Sequence, residues 1–131
     1  MRLLPILLVL LLAGCSAPAP SPDPAGDGSA SEHAVDWSIR GRGTRELNFE
    51  MRAGASIAYE LEADAVVRWD IHSHVDHNVT THASGLERAA RGTFTAPEED
   101  TYSIFVQATG ETSAVVTNVT VRVRGAFTVV S

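Results

Sequence analysis

The chain has 131 residues, a net charge of −6 with His neutral, and a single cysteine. All ten basic residues are Arg, set against sixteen Asp and Glu. That balance excludes nucleic acid as a partner, because phosphate backbones demand clustered cations, and one cysteine cannot close an internal disulfide.

The chain opens on Arg2, followed by an apolar run from Leu3 to Leu12 that only Pro5 interrupts, then the small residues Ala13 and Gly14, then Cys15. A secretory signal peptide has this layout of basic start, apolar stretch and small-residue cleavage site. The run is too short to cross a bilayer, which takes roughly 20 apolar residues. Leu12-Ala13-Gly14-Cys15 resembles the bacterial lipobox. The resemblance implies that residues 1–14 are removed and that Cys15 is acylated, becomes the mature N-terminus and ties the protein to a membrane through lipid. Ser16 stands where an Asp would retain such a protein in the inner membrane, so the resemblance favours the periplasmic side of the outer membrane.

Residues 15–35 read as an acylated Cys followed by a tether. Pro recurs at every second position through Ala17-Pro18-Ala19-Pro20-Ser21-Pro22-Asp23-Pro24, which removes backbone donors and favours an extended chain. Gly26, Gly28, Ser29 and Ser31 follow, with almost no large apolar side chain to offset ordering entropy. His33 is expected here as a solvated residue.

Residues 36–131 change to a period of two. Leu47, Phe49 and Met51 alternate with Glu46, Asn48 and Glu50; Ile57, Tyr59 and Leu61 with Ala58, Glu60 and Glu62. Val67, Trp69 and Ile71 alternate with Arg68, Asp70 and His72, and Tyr102, Ile104 and Val106 with Ser103, Phe105 and Gln107. A last strand carries Val119, Val121 and Val123 on one parity. Such alternation predicts half-buried antiparallel strands. Turn signals fall at Arg52-Ala53-Gly54, Ala63-Asp64, Val75-Asp76-His77, residues 96–100 and Thr109-Gly110-Glu111. Only Ser84 to Ala90 reads as a single helical turn. The spacing predicts an all-β fold, an antiparallel β-sandwich of GOLD-like or jelly-roll-like form, with Phe49, Tyr59, Trp69, Phe94, Tyr102 and Ile104 as the bulk of its core.

Several segments carry a second resemblance: Leu47-x-Phe49-x-x-Arg52-Ala53-Gly54, Ile57-x-Tyr59, Val67-x-Trp69-x-Ile71-His72, Arg91 to Pro97, and Tyr102 to Val106. Together they resemble the GOLD (emp24-type) β-sandwich and uncharacterised bacterial anchored proteins built on a similar domain. The resemblance implies a binding or interaction module with no catalytic residues.

One cluster carries chemistry. His72, His74, His77 and His82 fall within thirteen residues that begin at Asp70. Residues two apart on a strand share a face, so Asp70, His72 and His74 project together. With Val75-Asp76-His77 as a three-residue loop, His74 would face Asn78, His72 would face Thr80, and Asp70 would face His82. His72, His74 and His82 would then hold Zn²⁺ or Cu²⁺, which imidazole suits, with Asp70 as a ligand or orienting acceptor. No Gly-x-Ser-x-Gly or phosphate loop is present, and Ser73 between two His is not a triad. The expected function is therefore a non-enzymatic, lipid-anchored module binding an unknown envelope protein or ligand. The alternative is a periplasmic Zn²⁺ or Cu²⁺ protein using the His cluster.

Overall fold

A computed structural model describes residues 30–131; Cys15 and most of the expected tether lie outside the described residues. Seven strands follow one another: β1 (Ser31–Arg40), β2 (Thr44–Met51), β3 (Ser56–Val75), β4 (Asn78–Thr95), β5 (Asp100–Ala108), β6 (Val116–Gly125) and β7 (Thr128–Val130). All pairings are antiparallel, in the order β1-β6-β3-β5-β2-β7, with β4 on the other side of β3. The all-β, antiparallel sandwich expected from the alternation is the fold observed.

β3 organises the molecule. Its first part, Ile57–Ala63, pairs with β6, its second, Val67–Ser73, pairs with β5, and β4 follows it through both. Between them the register with β4 jumps from Glu62↔Ala89 to Val67↔Glu87, and a bulge of this kind bends a strand and lets a sheet close on itself. One layer is thus β1-β6-β3-β4 and the other β4-β3-β5-β2-β7, the β3–β4 hairpin belonging to both. Ile57, Leu61, Val121 and Val123 from the first layer meet Phe49, Trp69, Tyr102, Ile104 and Val106 from the second in one core.

The core carries the aromatics that the sequence singles out. Phe94 packs edge-on to Tyr102 at 5.1 Å between ring centroids, and Phe49 meets Phe127 at 5.9 Å. The buried Tyr102 hydroxyl donates to the Glu98 carbonyl at 2.6 Å and fastens the β4–β5 connection. Trp69 lies over Gly85 on β4 and donates its indole N–H to Glu87 Oε1 at 3.1 Å. A Cβ added at Gly85 would stand 2.5 Å from Trp69 Nε1, so only glycine leaves the indole its place. Tyr59 covers Gly92 in the same way and is half-buried.

Three local expectations are corrected. Ser31–Val35, read as tether, form the first half of β1, because the segment pairs in continuous antiparallel register with β6, from Ser31↔Gly125 to Val35↔Val121. His33 is accordingly a half-buried strand residue opposite Val123. Ala63-Asp64 is not a turn: the strand bends but continues, and Asp64 accepts hydrogen bonds from the Asn118 backbone N–H (3.0 Å) and side-chain amide (2.9 Å). Ser84 to Ala90 is strand, not a helical turn, held by its pairing with β3.

Candidate metal centre

The outward face of the second layer is laid out in rows by the strand register. Asp70 on β3, Phe105 on β5 and Glu46 on β2 make one row; His72, Ser103 and Asn48 make the next; His74 stands beyond. Ser103 is small and buried, and donates its hydroxyl to Asn48 Oδ1 at 2.6 Å, which leaves the space above it to longer neighbours. Glu46 reaches across it from β2, and its Oε1 comes to 3.2 Å from His72 Nε2. His74 reaches back along β3, its Nε2 3.0 Å from the same His72 nitrogen. The two imidazoles meet edge to face, and Phe105 lies against the His72 ring at 6.3 Å between centroids. Crowded in this way, His72 is 8 % exposed although it sits on an outward face.

The tautomer of His72 follows from its other nitrogen. Asp70 Oδ1 lies 2.5 Å from His72 Nδ1, and a carboxylate can only accept there. His72 therefore carries a proton on Nδ1, and in the neutral ring this leaves Nε2, which faces Glu46 and His74, as the accepting or ligating nitrogen. A carboxylate that orients a histidine through its non-ligating nitrogen is a recurrent support for metal-binding imidazoles. The ligand atoms of Glu46, His72 and His74 lie within 4.8 Å of one another. Three such donors can hold a metal ion, and two imidazoles with one carboxylate suit a divalent transition metal.

Of the residues proposed from sequence, the structure brings together Asp70, His72 and His74 but not His82. The loop is shorter than expected: Val75 pairs with Asn78, and only Asp76 and His77 turn the chain, both with positive φ (50° and 65°). This is a two-residue type I′ hairpin, whose twist matches that of the strands it joins. His72 consequently opposes Thr81, Ile71 opposes Ala83, and His82 is the extra residue of a bulge. It turns to the other face of the hairpin, where its Nε2 lies 2.8 Å from Ser73 Oγ and its ring packs on Phe94 and Tyr102. A one-residue change of register exchanges the two faces of a strand. Ser73 is 3 % exposed, and among the described residues no carboxylate pairs with His82, so the two do not make a catalytic triad.

Glu46 is the member missed by sequence reasoning. It shows there only as one of three polar positions alternating along β2. What makes it a neighbour of His72 is the order β3-β5-β2, in which the intervening strand lies some thirty residues downstream of β3.

No family model matches the chain, and no curated protein matches its sequence. The emp24-type likeness therefore extends no further than the fold class. Among solved structures, the chain is similar to PliG of Aeromonas hydrophila, a periplasmic lysozyme inhibitor of g-type lysozyme. The TM-score is 0.55 at 10 % identity, over 76 % of this chain and 89 % of that one. It is also similar to the Yersinia pseudotuberculosis-derived mitogen, with a TM-score of 0.50 at 9 % identity over 71 % of this chain and 84 % of that one. At these identities the likeness is one of fold. The domain is an all-β sandwich, and it bears a Glu/His cluster able to coordinate a metal ion.

Proposed function

We propose that this is a protein of the bacterial cell envelope, held to the membrane by lipid on Cys15, whose β-sandwich captures a divalent transition-metal ion through Glu46, His72 and His74. One observation carries the reading: the Nε2 of a buried histidine whose Nδ1 is held by Asp70 faces a carboxylate and a second imidazole nitrogen at 3.2 and 3.0 Å. The resemblance of Leu12-Ala13-Gly14-Cys15 to a lipobox supports the anchor, and the fold's likeness to a periplasmic protein supports the envelope setting.

Calorimetric titration of the purified chain with Zn²⁺ and with Cu²⁺ tests the proposal. Wild type should bind one equivalent, and the double variant His72→Ala/His74→Ala none, whereas His33→Ala, His77→Ala and His82→Ala should leave affinity within about twofold. Affinity should fall as pH drops, because ligation requires the neutral ring. Equal affinity in the wild type and the double variant would remove the metal reading.

A second reading, an envelope module that binds another protein, is supported by the likeness to a lysozyme inhibitor and by the emp24-type pattern. It is the weaker of the two, because a fold shared at 10 % identity transfers no contact residue.

A further inference from the structure

We infer that the first half of β4 is a self-association edge, on which a second copy of this chain adds its own β4 in antiparallel register; the inference goes beyond metal binding and does not depend on it. Among the described residues β4 pairs with β3 alone, so one edge of this 18-residue strand is free along its whole length. Unpaired N–H and C=O groups on such an edge are a template for another strand.

Sheets ordinarily protect their edges with charge, with Pro or by keeping the edge strand short. The other edges of this domain are protected in these ways. β1 carries Glu32, Asp36 and Arg40, and β7 has only three residues. The part of β2 that β7 leaves uncovered carries Arg45 and Glu46, and the second half of β4 carries Arg88 and Arg91. Asn78 to Leu86 differs from all of them: it contains no Asp, Glu, Arg, Lys or Pro. It also holds Val79 and Leu86, each 61 % exposed, the two most exposed large apolar side chains among the described residues.

The register shows why the occupant is a second copy. Val79, Thr81, Ser84 and Leu86 stand opposite His74, His72, Asp70 and Arg68 of β3, so they share the outward face. Place a two-fold axis through Ala83, perpendicular to the sheet. Leu86 of each copy then faces Val79 of the other, and Ser84 faces Thr81. Gly85 faces Thr80, and Glu87 faces Asn78, so no charge meets its like. The bulge at His82, already present against β3, supplies the extra residue that this register needs. Both exposed apolar residues are thereby paired twice, which is the self-complementarity of a two-fold interface. The second layers of the two copies become one continuous sheet. Both Glu46/His72/His74 clusters lie on its outward face, with the two β3 strands three strand spacings, about 14 Å, apart.

The test uses the full chain in detergent with Cys15→Ala, so that introduced thiols are the only ones present. Light scattering of this parent should give the protein mass of a dimer. Thr81→Cys and Ser84→Cys, each in that background, are mixed and oxidised. The mixed disulfide should be the main product, because residues 81 and 84 of opposite copies stand face to face within bridging distance. Ser84→Lys/Leu86→Lys should be monomeric at the concentration where the parent is a dimer, with an unchanged far-UV circular dichroism spectrum, since both side chains point away from the core. A monomeric parent, a dimer that survives the double Lys substitution, or a mixed disulfide no more abundant than the two symmetric ones would each overturn the inference.

Discussion

His72 and Tyr102 are both buried polar residues, and both are hydrogen-bonded. His72 donates its Nδ1–H to Asp70, and its Nε2 lies within hydrogen-bond reach of His74 Nε2 and beside Glu46 Oε1, so a buried polar ring has a partner at each nitrogen. Tyr102 is complete, its hydroxyl donating to the Glu98 carbonyl at 2.6 Å. Burial pushes its phenol above the usual value, and the Asp100 and Glu98 carboxylates push it in the same direction against the opposing effect of that hydrogen bond. The folded state therefore holds this proton more tightly than the unfolded chain does. The associated stability is fully present below the unfolded value near ~10 and is lost as pH rises through the higher folded value. Tyr102→Phe should cost about 0.5–1.5 kcal/mol at neutral pH through the lost hydrogen bond, and should flatten the alkaline decline. Urea midpoints of both proteins between pH 7 and 11 check this; an equally steep alkaline decline in the variant would assign it to other groups.

The β3–β4 hairpin is the element that decides the site. Its two-residue turn places Asp76 and His77 at φ 50° and 65°, a left-handed conformation that costs an L-residue roughly 1–2 kcal/mol. Glycine at the second turn position suits this geometry, and Asp-Gly is a strong type I′ pair. His77→Gly should accordingly stabilise the domain by about 1 kcal/mol, raising Tm by about 4 °C, and leave metal affinity unchanged. Differential scanning calorimetry, followed by metal titration of the same variant, measures both. A lower Tm would mean that His77 makes a contact outweighing its backbone strain. The same element shows where periodicity stops being informative. Alternation through Val67, Trp69 and Ile71 marks a strand with these residues inward, and they are buried. Alternation cannot show that β3 runs unbroken for twenty residues, because its bend at Ala63–Val66 has the composition of a turn.

Since β3 and β4 belong to both layers, the two layers should unfold as one. Trp69 lies in the second layer at the centre of the shared core, while Trp37 on β1 reports on the first. Trp69→Ala should cost about 3–5 kcal/mol, as loss of a large core aromatic does. In that variant Trp37 fluorescence and far-UV circular dichroism should report one coincident urea transition. Separated transitions would show two layers of independent stability. The attachment of the whole domain is tested at Cys15: Cys15→Ala should abolish labelling by a fatty-acid probe in growing cells and leave an unprocessed precursor. Persistent labelling would remove the lipid anchor from the proposed function.

Local pattern in the chain was enough to establish an antiparallel β-sandwich, because a strand half in a core and half in water must alternate, and Leu47 to Met51, Ile57 to Leu61 and Tyr102 to Val106 all do. It was enough, too, to place Asp70, His72 and His74 together, since residues two apart on one strand share a face whatever the strand's neighbours are. His82 and Glu46 were beyond its reach for a common reason: each depends on a relation between strands rather than within one. Two turn residues in place of three, with a bulge at His82, send that side chain to Ser73. The position of β5 between β3 and β2 brings Glu46 to His72. Register and strand order are set by the packing of the whole core, and a single strand's period of two carries no record of either.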